Sequence, residues 1–489
     1  MNSNFNFKLI LKIQGSLMLV ESIFLLSAFL VSLFYSESVG IVFLYTAGIG
    51  LILGVAGILA GRNANPVIGK REGSIIVTFT WLLFSLLGMM PFLLSGCITS
   101  IPDAFFETMS GFTTTGASIL NNIEELPYSI LYWRSMTHWI GGLGIIVISM
   151  ALLPIFGFSG MQIFSAEATG PTKDKINPKI SETAKRLLAI YIILTISETL
   201  LLRFAGMTWF DAVCHSFGTI ATGGFSTKQA SIGHYNSPFI EYIIIFFMIF
   251  SGVNFAMFYF LVKLKVYKVW KNEELRIYLF LISLFSIFLL LSQINFNEKI
   301  SWAIIENYIR NGLFVTCATV TTTGFVTVDY NLWPPFTWYF VLILMLIGSS
   351  AGSTAGGMKV VRVLLVFKYI YYEFKRFIHP NAVFPVRYNQ HIVADEVVAR
   401  VLSFVLLYFI IIFAGSTFLS ISGLGYIESF SGMITCLSDV GPGLGSIGPV
   451  YNFSHLPDIS KWFLSIVMLI GRLEIFTVLL IFTPVFWKR

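Results

Sequence analysis

Charge is what this chain has least of: 11% of its residues are Asp, Glu, Lys or Arg, against 56% hydrophobic. A soluble domain keeps roughly a quarter of its residues charged, so that class is excluded and a polytopic membrane protein remains. Cysteine is also scarce. Cys97, Cys214, Cys317 and Cys436 show no metal-type spacing, and packing is preferred over a disulfide or ligand role. His138 and His215 stand singly, with no second histidine or carboxylate at ligand spacing, and read as packing or interfacial residues. Acids and histidines do not cluster at one membrane face, as a membrane-embedded enzyme would require, so no catalytic residue and no organic cofactor are expected. The net charge of +6 forms no basic groove interleaved with aromatics, which argues against nucleic acid.

What the chain does have is apolar runs of about 20 residues, the length that crosses a bilayer as a helix. They lack the alternation of a barrel strand, and a bilayer interior forces unpaired backbone groups into one or the other. Ten spans are predicted, near 9–35, 40–60, 73–96, 130–155, 186–206, 238–262, 275–293, 336–366 (interrupted), 397–421 and 460–485. The first run passes Ala28 to Phe34 and meets a second almost at once, so it reads as a retained span rather than a cleaved leader. With the amino terminus in the cytoplasm, most of the 31 basic residues fall on that side, both termini are cytoplasmic, and the segments described next face outward.

Four times, roughly a hundred residues apart, a short polar segment between spans closes on glycine. These are Thr113-Thr114-Thr115-Gly116, Ile220-Ala221-Thr222-Gly223, Thr321-Thr322-Thr323-Gly324 and Ser438-Asp439-Val440-Gly441. Each follows a short helix, near 102–113, 208–220, 302–321 and 426–437, and a helix of about 12 residues at 1.5 Å per residue cannot cross about 30 Å, so it must enter and turn back. Asp103, Asp211 and Glu428 near the starts suit the positive ends of these helices, and the opposite ends would present partial negative charge to a cation on a common axis. Glycine is expected where carbonyls must point inward, in dihedrals that a Cβ makes costly. The fold class is therefore an all-α polytopic membrane protein. Four pseudo-fourfold helix, re-entrant loop, helix repeats surround one central pore, with a two-helix hairpin in front. The expected division is 1–65 hairpin, 66–160 repeat one, 161–266 repeat two, 267–366 repeat three, and 367–489 a cytoplasmic helix with repeat four.

Three further features stand out. Gly348-Ser349-Ser350-Ala351-Gly352-Ser353-Thr354-Ala355-Gly356-Gly357 interrupts the inward span of repeat three, and such backbone at membrane depth belongs beneath the filter, facing protein or water. Close helix packing through small residues is the alternative. Arg472 and Glu474 lie inside the last span, two apart, so each needs a different partner, in the pore or in a structural ion pair. Two cytoplasmic stretches, 156–185 and 367–396, are long enough to dock something, the second carrying Tyr369 to Arg376 in the manner of an interfacial helix.

The glycine segments, together with Gly224-Phe225-Ser226, Pro442-Gly443, Trp139-Ile140-Gly141-Gly142-Leu143-Gly144, Gly356-Gly357-Met358-Lys359 and Gly471-Arg472-Leu473-Glu474, carry a resemblance. The chain resembles the Trk/Ktr/HKT superfamily of potassium transporters, and closely its bacterial TrkH branch, over essentially its whole length. The resemblance implies potassium uptake through carbonyls of Thr114, Thr115, Gly116, Ala221, Thr222, Gly223, Thr322, Thr323, Gly324, Asp439, Val440 and Gly441. It implies an intramembrane gate at 348–357, with Gly348, Gly352, Gly356, Gly357 and Lys359, and Arg472 just below the filter as an electrostatic barrier. Also implied are a homodimer in the bacterial cytoplasmic membrane and a cytosolic TrkA-type nucleotide-binding subunit on the basic inner loops. No glycine-rich nucleotide motif follows a predicted strand in this chain, which suits nucleotide binding by the partner. In some plant relatives serine at the first glycine position accompanies sodium selectivity, and Gly116 fits the potassium pattern. Asp439 departs from the asparagine often found there; it either raises the local cation concentration or pairs with a pore-helix donor. An H⁺- or Na⁺-coupled carrier is the alternative, with Glu474 and Asp439 its candidate titratable groups.

Overall fold

The structure, a computed structural model, describes residues 6–65, 70–151, 180–294 and 301–487. Of the stretch 156–185, which includes Lys173-Asp174-Lys175, all but the last few residues lie outside them. Among the described residues six helices are long and apolar enough to cross a membrane, and two bent pairs pass the same test as single spans.

Helices α1 (Phe7–Phe34) and α2 (Gly40–Ala60) form the leading hairpin. Asn6 caps α1 by accepting from the Leu9 N–H. Repeat one is α3 (Lys70–Gly88), the short α4 (Ile101–Phe112) and α5 (Tyr128–Ala151). Glu37, in the α1–α2 turn, accepts from the N–H groups of Tyr128 and Ser129 at 2.5 and 3.0 Å, tying the hairpin to the start of α5. Repeat two is α6 (Ile180–Phe204), α7 (Trp209–Ala221), α8 (Pro238–Ser251) and α9 (Phe255–Val262). Repeat three is α10 (Glu273–Gln293), α11 (Trp302–Val320), α12 (Phe336–Ile347) and α13 (Val360–Ile378). Repeat four is α14 (Asp395–Ile421), α15 (Tyr426–Ser438), α16 (Asp458–Arg472) and α17 (Ile475–Leu479). A two-residue antiparallel ribbon, Arg387–Tyr388 against His391–Ile392, closes the connection after α13.

The repeats close on themselves. The helix after each glycine segment packs on the short helix of the next repeat: α5 on α7, α8 on α11, α12 on α15, and α16 on α4. An ion pair crosses the last of these joints, from the buried Lys461 Nζ to the half-buried Asp103 Oδ1 at 2.5 Å, placing the acid at the positive end of α4. Thr208 caps α7 by accepting from the Asp211 N–H at 3.1 Å, and Ser301 caps α11 in the same way. The short helices lie where expected, and α11, with 19 residues and an exposed Trp302 at its start, is the longest of the four.

Two spans expected to be continuous are broken. Between α8 and α9 the chain turns by 99°, and between α16 and the segment from Ile475 by 116°. At the first break the Asn254 side chain accepts from the Ala256 N–H and starts a new helix. At the second, Glu474 holds φ 65° and ψ 137°, outside helical geometry, so Arg472 and Glu474 do not share one helix as the sequence suggests. With the interruption at 348–359, repeats two, three and four each carry a break after the glycine segment among the described residues.

Candidate functional site

All four short helices end in one way. The residues Thr114, Thr222, Thr322 and Asp439 are left-handed, with φ of 55°, 58°, 54° and 56°. The next N–H reaches back to a carbonyl five residues earlier, Thr115 to Ser110, Gly223 to Gly218 and Val440 to Thr435, at 2.9, 2.8 and 3.0 Å. In repeat three it is Gly324 N–H that reaches Ala318, at 3.0 Å. Asp is among the few side chains that visit this region readily, whereas three β-branched threonines there are strained, at about 1–3 kcal/mol each.

The glycine two residues on is also left-handed: Gly116, Gly224, Gly324 and Gly441, with φ of 83°, 77°, 70° and 103°. A Cβ on each would collide with the second-position carbonyl of the next repeat. Gly116 faces Gly223 O, Gly224 faces Thr323 O, Gly324 faces Val440 O, and Gly441 faces Thr115 O. This is a closed ring, and it corrects the register of repeat two. The counterpart of Gly116 is Gly224 rather than Gly223, and the counterparts of Thr114 and Thr115 are Thr222 and Gly223. Ala221 drops out of the set, as the last residue of α7. The doubled Gly223-Gly224 offered two candidates, and only contact with repeat three separates them.

Behind the ring the side chains brace the strands. Thr113 and Thr115 hydroxyls pair at 2.8 Å, and Thr321 and Thr323 at 2.7 Å. Asp439 accepts from the Thr115 hydroxyl at 2.9 Å and is fully buried, so its carboxylate is tied to repeat one. Glu107 and Arg134 form a buried ion pair at 2.6 Å, and Arg134 also donates to Ser226 O at 2.8 Å. His138 and His215 are both buried and hydrogen-bonded; His215 bridges Asp211 O and Ser226 Oγ, at 2.7 and 2.9 Å. Three of the four free cysteines, Cys214, Cys317 and Cys436, are buried in the short helices.

Residues 348–359 run non-helically under the carboxyl ends of those helices. Ser349 Oγ donates to Val320 O at 2.8 Å and Thr354 Oγ1 to Ile220 O at 3.0 Å, the last turns of α11 and α7. Gly356 N–H donates to Thr322 Oγ1 at 2.7 Å, and a Cβ there would strike Ser438 O. Arg472 completes the circuit, donating to Thr354 O at 2.6 Å and to Gly141 O of repeat one at 3.1 Å. Lys359 Nζ donates to Ala355 O within the loop. The breaks of repeats two and four lie alongside. Ser350 N–H reaches Gly252 O and Phe255 N–H reaches Gly352 O, at 3.1 and 3.0 Å. Glu474 pairs with Arg362, at the start of α13, at 2.5 Å. The structure thus brings Gly348, Gly352, Gly356, Gly357, Lys359 and Arg472 together directly beneath the ring. Four helix carboxyl ends and a ring of backbone oxygens can replace water around a monovalent cation, and they disfavour anions.

Comparison with known proteins agrees with this fold. The family model TrkH, described as a cation transport protein, matches residues 46–489. The chain is 39% identical over 490 residues to the Trk system potassium uptake protein TrkH of Escherichia coli (strain K12), covering 99% of this chain and 100% of that protein. It is 35% identical to the Trk system potassium uptake protein TrkH of Halomonas elongata, covering 99% of each. The crystal structure of the potassium transporter TrkH from Vibrio parahaemolyticus superimposes with a TM-score of 0.90 at 35% identity, covering 99% of this chain and 100% of that one. With its closed ring of glycine segments and a family match over nearly its full length, this chain belongs to the TrkH family of cation transport proteins.

Proposed function

We propose that the chain takes up K⁺ across the cytoplasmic membrane of a bacterium, as a channel-like subunit rather than an enzyme. Dehydrated K⁺ would pass the carbonyls of Thr114, Thr115 and Gly116, of Thr222, Gly223 and Gly224, of Thr322, Thr323 and Gly324, and of Asp439, Val440 and Gly441. The observation that carries this reading is the closed ring, in which each glycine packs against the next repeat's carbonyl. The relatives named above for potassium uptake support the choice of ion.

The segment 348–357 is the gate on this reading. Its hydrogen bonds to the ends of α7 and α11 and to Arg472 support a closed position across the path. Arg472 sets a positive barrier below the ring, weakening the hold on K⁺ so that the ion leaves. An ion-coupled carrier fits less well, because Glu474 is paired with Arg362 and Asp439 accepts from Thr115 through one of its two oxygens. The glycine segments face outward, both termini face the cytoplasm, and the chain acts as a homodimer with a TrkA-type subunit that binds the regulatory nucleotide. The naming of the relatives as parts of a Trk system supports such partners.

The test is flux of K⁺, Rb⁺ and Na⁺ through the purified chain in liposomes, with and without Gly116→Ser. K⁺ and Rb⁺ should pass in preference to Na⁺, and the serine Cβ against Gly223 O should abolish that preference or the flux. Unchanged flux and selectivity in the variant would refute a filter role for Gly116.

A further inference from the structure

Repeat three braces its filter strand from within, the Thr323 hydroxyl donating to that of Thr321 and the latter to Cys317 O at 2.6 Å, and in repeat one the Thr113 hydroxyl donates to Met109 O at 2.7 Å while that of Thr115 donates to Asp439. Repeat two has Ala221 and Gly223 at the same places and so has no hydroxyl for the task. His138, from α5 of repeat one, fills the gap. Its ring stacks on Phe225 with centroids 4.0 Å apart, and a Cβ on Gly223 would collide with it. Nδ1 lies 2.7 Å from Gly111 O, near the end of α4, and Nε2 accepts the Phe225 N–H at 3.1 Å. A carbonyl on one side and an N–H on the other admit a single arrangement, the neutral ring with its hydrogen on Nδ1. On Phe225 the Arg134 guanidinium also rests, 3.7 Å from the ring centroid, held by Glu107 and by Ser226 O.

In the strand from Gly223 to Ser226, the Ser226 hydroxyl is held by His215 of the repeat's own short helix, while the Phe225 N–H and the space above Gly223 are taken by His138 of the neighbouring repeat. We infer that His138 is the positioning residue that sets the Gly223 and Gly224 carbonyls, and through them the ion preference. It also explains why repeat two alone carries glycine at the second filter position, since the ring stands where a side chain would. This inference rests on the filter reading given above.

The test compares His138→Gln, whose amide offers one donor and one acceptor at similar separation, with His138→Phe, which fills the space and offers neither. K⁺/Na⁺ permeability ratios are read in liposomes, beside thermal unfolding in detergent. His138→Phe should lose about tenfold in the ratio, the factor expected when a buried donor and acceptor lose their partner, while His138→Gln stays within about threefold of the unaltered chain. A His138→Phe variant that keeps the parent ratio overturns the inference, whatever its melting temperature. Should that variant fail to assemble, Gly223→Ala is read in its place, because its Cβ drives the ring off both bonds; an unchanged ratio there overturns the inference equally. If the unaltered chain itself shows no preference for K⁺, the channel reading fails, which is a separate outcome.

Discussion

Releasing the loop beneath the filter is the sharpest test of the gate. Ser349→Ala removes the hydroxyl that donates to Val320 O, and Thr354→Val removes the one that donates to Ile220 O, with almost no change of shape. Both hydroxyls are buried and neutral, so each bond contributes about 1 kcal/mol and the pair about 2 kcal/mol. That shifts the balance between seated and displaced loop by about thirtyfold. A loop displaced in about one molecule in a hundred would then be displaced in about a quarter of them. The bonds from Gly356 N–H to Thr322 and from Arg472 to Thr354 O remain, since both use groups the substitutions leave in place. The assay is Rb⁺ flux into liposomes holding the chain alone, with open probability from planar-bilayer recording. The double variant should conduct more than the parent in the absence of any partner, and each single variant should fall between. A double variant that is folded, is K⁺-selective and conducts no more than the parent would refute the claim that these bonds hold a gate shut.

Two further outcomes follow from backbone geometry. Asp439→Asn keeps both the tolerance for φ of 56° and an acceptor for the Thr115 hydroxyl, whereas Asp439→Ala loses both. The alanine variant should be less stable than the asparagine variant by about 2 kcal/mol in detergent unfolding, and equal stability would count against the assignment. Lys359 and Glu474 hold φ of 76° and 65° with ψ near 135°, a region that suits glycine. At both positions glycine should give a more stable protein than alanine, by about 1 kcal/mol or more; the reverse order in thermal unfolding would show that the strain is absent.

Much of this architecture is legible along the chain because it is written in local composition. A run of about 20 apolar residues needs no distant partner to be recognised as a span, and a run of a dozen ending in Thr-Gly must turn back. The interruption at 348–357 is equally local, since four glycines among serine, threonine and alanine do not hold a lipid-facing helix. Less legible were the breaks at 252–254 and 473–474. Gly252 and Asn254 stand within a run of phenylalanines and isoleucines that reads as one continuous span. Glu474 gave no signal of a break, since the positive φ there accompanies an ion pair with Arg362, more than a hundred residues away in the chain. The two histidines were read as packing residues, and packing is a fair description of His215. His138 does more, and its partners, Gly111 O and Phe225 N–H, are backbone groups that composition cannot reveal.

The sequence by itself determined the class of protein, the four repeats, the polarity of the short helices and the place of the loop. These depend on hydropathy, helix length and charge within a few turns of chain. Only the tertiary structure decided which glycine closes repeat two, where Asp439 finds its donor, and how Arg472 joins the loop to repeat one. Each of those answers is a contact between segments far apart in the chain, where a carbonyl of one repeat leaves room for hydrogen but not for a Cβ in the next. A doubled glycine can take a left-handed turn at either residue, and the neighbour it must pass is what selects between them.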